Sequence, residues 1–373
     1  MMARIFKHRE VLLFVAILLL VGAIALRFPG FVAPRNLVSI YNDTAILIIL
    51  ALGQAAVILS RGIDLSIAAN LALSGTIAAL LNVAFPDLPV IFLLMAAVVS
   101  GSVLGAINGL LVWRLSIPPI VVTLGTMTIY RGTIFLLTGG AWVNAHEMTD
   151  AFKAVPRAVV FGVPVLAWFS LGVIALMLVL FVKTRLGRAF YAVGGNPHAA
   201  VYTGISVGRT HFFAYLIAGA LAGLAGYLWT ARYAVAYVDI ANGFELDVVA
   251  ACVIGGISIA GGAGTAIGAV LGALFLGIIK NALPVIDVSP FWQMAISGTV
   301  IIIAVAVNAR SARVKGRVIL KKRSMRYECQ RSAPCARPTA WPGLPDGEKL
   351  GEPADRGGDR DLHRQQLRLA LFP

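Results

Sequence analysis

Apolar residues in this chain gather in long blocks instead of recurring at a helical or strand period. The stretches 11–26, 45–59, 88–112, 163–182, 211–230 and 291–307 are almost free of charge. About 20 apolar residues cross a bilayer core as a helix. In lipid a backbone must satisfy its own hydrogen bonds, so such blocks become helices. The pattern predicts an all-α, polytopic membrane protein of about ten transmembrane helices. They lie at 11–27, 37–59, 65–84, 90–113, 117–137, 163–182, 211–231, 245–260, 263–282 and 291–308. The pair 245–260 and 263–282 is short, Gly-rich and joined by almost nothing. It reads equally as a re-entrant pair, which leaves eight full spans. Arg4, Lys7 and Arg9 precede the first block, but Arg27-Phe28-Pro29 stands where a signal peptide would need small residues, so an uncleaved span is expected.

Composition agrees. Of 373 residues 59% are hydrophobic and 13% charged, too few charges to cover a soluble surface of this size. The net charge of +14 is distributed unevenly. With a cytoplasmic N-terminus, and counting only as far as residue 323, sixteen Lys and Arg fall in cytoplasmic segments, among them Arg61, Arg114, Lys183, Arg185, Arg188 and Arg209. Seven fall outside or within spans: Arg27, Arg35, Arg131, Lys153, Arg157, Arg232 and Lys280. This positive-inside bias places both termini in the cytoplasm and makes the span count even. The basic charge is therefore topological and does not call for nucleic acid. The cysteines Cys252, Cys329 and Cys335 show no metal or redox spacing.

Glycines recur at i, i+4, i+8: Gly101, Gly105, Gly109, and again Gly264, Gly268, Gly272. Small-xxx-small spacing lets membrane helices approach closely. Each set follows an acidic stretch, Asp64-Leu65-Ser66 or Glu245-Leu246-Asp247. The sets lie five spans apart, an odd offset, so the copies run in opposite directions, as in an inverted repeat. Gly219, Gly223 and Gly226 make a further stripe.

The segment 184–209 is the most informative. Asn196 suits an N-cap and Pro197 the first helical position. Gly204 suits a C-cap. A short rigid helix from Pro197 to about Thr203 is expected to project into the cytoplasm. Ala199 and Ala200 form its small face, and Arg185, Arg188 and Arg209 ring its base.

Ala199-Ala200, three residues, then Gly204 resembles the coupling loop of ATP-binding-cassette permeases, with His198 where many carry Glu. Gly187-Arg188, Tyr191-Ala192-Val193-Gly194-Gly195-Asn196 and Gly204-Ile205 resemble the monosaccharide branch (ribose, xylose, rhamnose, autoinducer) of the branched-chain permease superfamily. Gly62-Ile63-Asp64-Leu65-Ser66 resembles that branch, and so do Asn108-Gly109-Leu110 with Ile117-Pro118-Pro119. Glu245-Leu246-Asp247 with Gly255-Gly256 and Gly261-Gly262 does likewise. The resemblance covers about residues 10–310, and Ser289-Pro290-Phe291-Trp292 looks closest to rhamnose or autoinducer permeases. It implies a vitamin-B12-type importer permease architecture. Asn196, Pro197, His198, Ala199, Ala200 and Gly204 would couple to the ATPase. It also implies two cytoplasmic ATP-binding subunits, a periplasmic sugar-binding protein and a second permease chain, in a bacterial inner membrane. No ATPase chemistry is expected in this chain, which has no Gly-x4-Gly-Lys-Ser/Thr loop to hold phosphates. With no paired carboxylate or nucleophile–base set, no catalytic residue or cofactor is expected.

Charged groups inside a bilayer are functional suspects. Asp64 is expected to pair with Arg61 across the turn or to meet sugar. Asp64, Asn70, Asn108 and Thr123 are the candidates for a translocation path. Glu245 and Asp247 are expected to favour a helix start, and Lys280 and Arg131 to snorkel. By domain, 1–10 is a cytoplasmic end, 11–308 the permease and 309–323 a basic end. Residues 324–373, rich in Pro and Arg, read as a disordered tail, either frameshifted or regulatory. A permease for branched-chain amino acids and an ion-coupled secondary transporter are the competing functions.

Overall fold

The computed structural model describes residues 8–285 continuously and positions 289, 292, 295, 298, 299 and 302 beyond them. The described residues fall in one compact unit, Met1–Arg317. The expected segment 291–308, the basic end 309–323 and the tail 324–373 lie mostly or wholly outside the described residues.

Twelve α-helices are described: α1 His8–Arg27, α2 Pro34–Leu59, α3 Ile67–Ala84, α4 Val90–Arg114, α5 Pro119–Thr138, α6 Asp150–Arg157, α7 Val165–Lys183, α8 Arg185–Gly195, α9 Pro197–Tyr202, α10 Val207–Tyr233, α11 Phe244–Ile254 and α12 Ala266–Val285. The only strands among the described residues, β1 Val159–Val160 and β2 Val163–Pro164, pair antiparallel. Phe161 and Gly162 turn between them with φ of 53° and 75°, the two positive values that a tight hairpin turn requires.

Eight of these helices are long and apolar enough to cross a membrane. The expected count of about ten is therefore not reached among the described residues. The segment 245–260 is the instructive miss. Its helix, α11, stops after eleven residues. At 1.5 Å per residue that is about 16 Å, half a bilayer core. A reversal ends it: Gly256, at φ 85°, and Ile257 donate to Val253 and Cys252. Eleven residues, not almost none, then lead to α12. Gly264, assigned to a helical glycine stripe, lies in that connection with φ of 142° against Ile257. Only Gly268 and Gly272 of that set are helical.

The packing obeys an internal exchange. α4 packs on α10 as α12 packs on α2, and α3 packs on α10 as α11 packs on α2. α3 meets α4 as α11 meets α12. Directions match too. Gly101, Gly105 and Gly109 descend α10 past Gly223, Gly219 and Phe212, so α4 and α10 are antiparallel. Gly277 meets Thr44 while Gly262 meets Leu59, so α12 and α2 are antiparallel as well. The centre is α2, buried without interruption from Thr44 to Leu59, with α10 and α12 against it. α1 is mostly exposed, reaching the bundle through Ile17 on the side of α12.

Candidate functional site

The short helix forms where the loop sequence places it. The Asn196 side chain accepts the Ala199 N–H at 3.1 Å, and Pro197 opens the helix without needing a donor. At the other end Gly204, at φ 80°, turns the chain. Gly204 N–H then donates to Val201 at 3.0 Å and Ile205 N–H to Ala200 at 3.0 Å. Both ends are thus closed by local bonds, which makes a six-residue helix rigid.

Its face differs from the expected one. Ala200 is buried, whereas His198, Ala199, Val201 and Tyr202 are exposed, Tyr202 to 91%. In a helix, Ala199 and Ala200 point about 100° apart, so one turns inward when the other turns out. Arg185, Arg188 and Arg209 are exposed around it, as expected.

The preceding α8, eleven residues where only a loop is expected, joins this helix to the bundle. Thr184 caps it by accepting the Gly187 N–H at 3.0 Å. Its far end rests backbone on backbone: a Cβ on Gly194 would stand 1.8 Å from the Leu59 carbonyl oxygen and 2.3 Å from the Gly262 nitrogen. Gly262 N–H donates to the Leu59 carbonyl at 3.0 Å, and Arg61 Nε donates to the Ala260 carbonyl at 3.0 Å. Tyr191 hydroxyl donates to the Gly264 carbonyl at 3.1 Å. Burial, and then the Glu10 carboxylate, push that phenol up. The segment therefore grips the α2–α3 connection and the α11–α12 connection together.

The α2–α3 turn is itself tightly specified. Arg61 N–H donates to Ile58 and Gly62 N–H to Val57, both at 2.9 Å, which places Arg61 at the left-handed position, φ 71°. The expected Arg61–Asp64 ion pair does not form, because that backbone turn sends the guanidinium outward toward Ala260. Asp64 instead accepts from Ser66 N–H at 2.9 Å and Ser66 Oγ at 2.6 Å. In the amide orientation that satisfies both groups, Gln54 brackets the Asp64 backbone at 3.2 and 3.1 Å. Burial pushes the Asp64 carboxyl up to about 6, and the two Ser66 bonds offset only part of that rise.

All four path candidates are buried, and Ser66 links two of them, Asp64 and Asn108. Asn108 Nδ2 donates to Ser66 Oγ at 2.8 Å, and Asn70 Nδ2 to the Gly101 carbonyl at 3.1 Å. Thr123 Oγ1 donates to the Ile63 carbonyl at 3.3 Å. Tyr130, not singled out in the sequence, adds bonds to Leu104 and Asn108. Each group is 0–1% exposed except Tyr130 at 3%, so in this conformation they tie α3, α4 and α5 to the turn.

Arg131 and Lys280 also make bonds within the protein. Arg131 donates to the Val238 and Ile240 carbonyls. Lys280 pairs with Asp247 and sits 5.6 Å from the Phe244 ring centre. Glu245 and Asp247 stand in the first turn of α11, as expected, behind a Gly243 N-cap, and Asp247 also bonds across to α12. Replacing Lys280 by methionine should lower stability by about 2 kcal/mol, discounted because the lysine is partly exposed. Thermal unfolding in detergent would measure this, and Lys280→Met with Asp247→Leu together should recover much of the loss.

The chain is thus a bundle of helices long and apolar enough to cross a membrane, with a short, doubly capped exposed helix tied to two internal connections. The chain belongs to the family described as branched-chain amino acid transport system / permease component, which it matches over residues 36–305. It is 34% identical to the ribose import permease protein of Haemophilus influenzae, over 79% of this chain and 91% of that one. It is 38% identical to the autoinducer 2 import system permease protein of an Enterobacter species, over 83% and 89%. It is 33% identical to the galactose/methyl galactoside import permease protein of Escherichia coli, over 80% and 93%. No solved structure matches the chain significantly. The protein is a multi-pass inner-membrane permease subunit, not an enzyme.

Proposed function

We propose that the chain is the transmembrane permease of an ATP-driven importer for a monosaccharide, moving substrate inward by alternating access. The relatives named for ribose, autoinducer 2 and galactose import support the cargo class. The observation that carries the mechanism is the doubly capped α9, joined through α8 to both internal joints. Two ATP-binding subunits in the cytoplasm would each receive one such peg, from this chain and from a second permease chain. A periplasmic sugar-binding protein would deliver the cargo. ATP state and membrane conformation then bias one two-state element. Both termini lie in the cytoplasm in this reading. The buried Asp64–Ser66–Asn108 and Asn70–Gly101 bonds join helices that have to shift as the path opens, so the path candidates act as a polar seam.

Tyr202, the most exposed aromatic group on the peg, should anchor the ATPase contact. Tyr202→Ala is expected to cost about 2 kcal/mol, roughly thirtyfold in affinity for the ATP-binding subunit. Co-purification and ATP-dependent uptake in proteoliposomes measure it. Uptake driven by a proton gradient without ATP would sink the importer reading. The family's description favours one second reading, branched-chain amino acids as cargo. Competition of labelled ribose against leucine decides between them.

A further inference from the structure

A second feature of the same joint has no part in that mechanism. A cavity of about 390 Å³ opens where the end of α4, the start of α5, the start of α10 and the α2–α3 turn meet. Its walls include Arg61, Trp113, Ser116, Pro118, Gly208 and His211. The described residues that line it include no carboxylate. Arg114 lies outside this lining, its guanidinium over the Trp113 ring, 4.8 Å from the ring centre. Two helices, α5 and α10, begin at its edge, and helix starts carry partial positive charge.

The backbone shows that these side chains are held there at a cost. Arg61 and Ser116 are both left-handed, at φ 71° and 53°. Arg61 occupies the helix-end position where glycine is the usual residue. Such strain costs of order 1–3 kcal/mol and gathers at functional sites. Arg61 uses Nε on Ala260, which leaves its terminal nitrogens as a fork suited to an oxyanion. Trp113 is fixed by Gly208: a Cβ there would stand 1.8 Å from the indole. The indole and Pro118 offer an apolar wall. The volume suits a ligand at the small end of the 300–1,000 Å³ range, larger than a bare phosphate.

We propose that this cavity binds a small sugar phosphate, with the phosphate on Arg61 and the sugar against the wall of Trp113 and Pro118. Its opening to the cytoplasm, where phosphorylated sugars occur, rests on the orientation proposed above. The site itself does not, since binding is read without transport.

The test is calorimetric titration of ribose 5-phosphate into the permease–ATPase complex in nanodiscs of neutral lipid. One saturable site per permease chain is expected, with neutral ribose not competing and inorganic phosphate binding at least about threefold more weakly. Arg61→Gln should weaken binding at least about tenfold, and Arg61→Lys less, because lysine keeps charge but loses the fork. Arg61→Gly relieves the positive φ, so it should fold as well as the parent by thermal unfolding and still lose binding. Unchanged affinity in Arg61→Gln or Arg61→Gly, or equal affinity for inorganic phosphate, overturns the proposal. So does loss of binding in discs of phosphatidylglycerol, which would make a lipid headgroup the occupant. ATP-driven sugar uptake by a complex that does not bind ribose 5-phosphate would overturn this site alone and leave the importer reading standing.

Discussion

Gly105→Leu is expected to remove the protein from the folded pool, while Gly172→Leu is tolerated. Both glycines sit in long membrane helices, and hydropathy would rank both substitutions as harmless. The difference lies in what the new atoms meet. At Gly105 a Cβ alone would stand 2.3 Å from the Tyr215 carbonyl oxygen and 2.8 Å from the Gly219 Cα. Those are backbone atoms of α10, and no rotamer change moves them. The neighbouring contacts are equally close: Gly101 against Gly219 and Gly223, and Gly223 against Ala97. A leucine must therefore push α4 from α10 along the whole seam, at a cost of about 3 kcal/mol or more. Close backbone approach is also what holds helices together in lipid, where burying apolar surface gains little. At Gly172 nothing lies within 4 Å. Fluorescence-detected size-exclusion chromatography of detergent extracts measures the outcome. A monodisperse, full-height peak for Gly105→Leu would contradict the packing.

Gly194→Ala is expected to leave a folded permease that no longer follows its ATPase. The added methyl group would meet the Leu59 carbonyl and the Gly262 nitrogen, so α8 must lift from both connections. The spans themselves keep their contacts. In the proposed mechanism this loosens a route from α9 to the α11–α12 connection, through Gly194 and Tyr191. Coupling free energies of about 1–3 kcal/mol correspond to 5–150-fold. ATP-dependent uptake should fall within that range while ATP hydrolysis by the complex continues. Gly195→Ala is the matched control, since a Cβ there meets nothing within 4 Å. Uptake and hydrolysis falling in proportion would mean that the complex fails to assemble, and the transmission route would then lose its support.

Much of the molecule is legible in the sequence because the bilayer admits few backbone solutions. Long uncharged blocks have to be helices, so seven of the expected spans from 11–27 through 211–231 recur as α1–α5, α7 and α10 within a few residues. Local chemistry is equally readable. Asn196-Pro197 and Gly204 bound a helix from capping rules alone, because every bond concerned closes within five residues. The misread elements depend on distant partners. Hydropathy at 245–260 could not reveal a stop at Ile254, since the connection that follows is apolar too. Ala200 was placed on the outer face because a short loop carries no periodic signal long enough to assign one. Arg61 and Asp64, neighbours in sequence, part because one backbone turn points them to different groups.

Burial order shows the same divide. α1 is more apolar than α2, yet α1 faces outward and α2 is enclosed. Lipid is itself an apolar solvent, so hydrophobicity places a helix in the membrane without saying which helix occupies the centre. The sequence alone determined the membrane class, the positions of most helices, the peg and its resemblance to transport permeases. The first three follow from chain-local energetics, backbone satisfaction in hydrocarbon and capping, while the resemblance rests on motifs read in order along the chain. Only the tertiary structure decided that Gly194 and Gly195 lie against Gly261 and Gly262, that Lys280 meets Asp247, and that Arg61, Trp113 and His211 share a cavity. Those contacts join residues far apart in the chain, and their energy depends on shape at close approach, which no one-dimensional pattern carries.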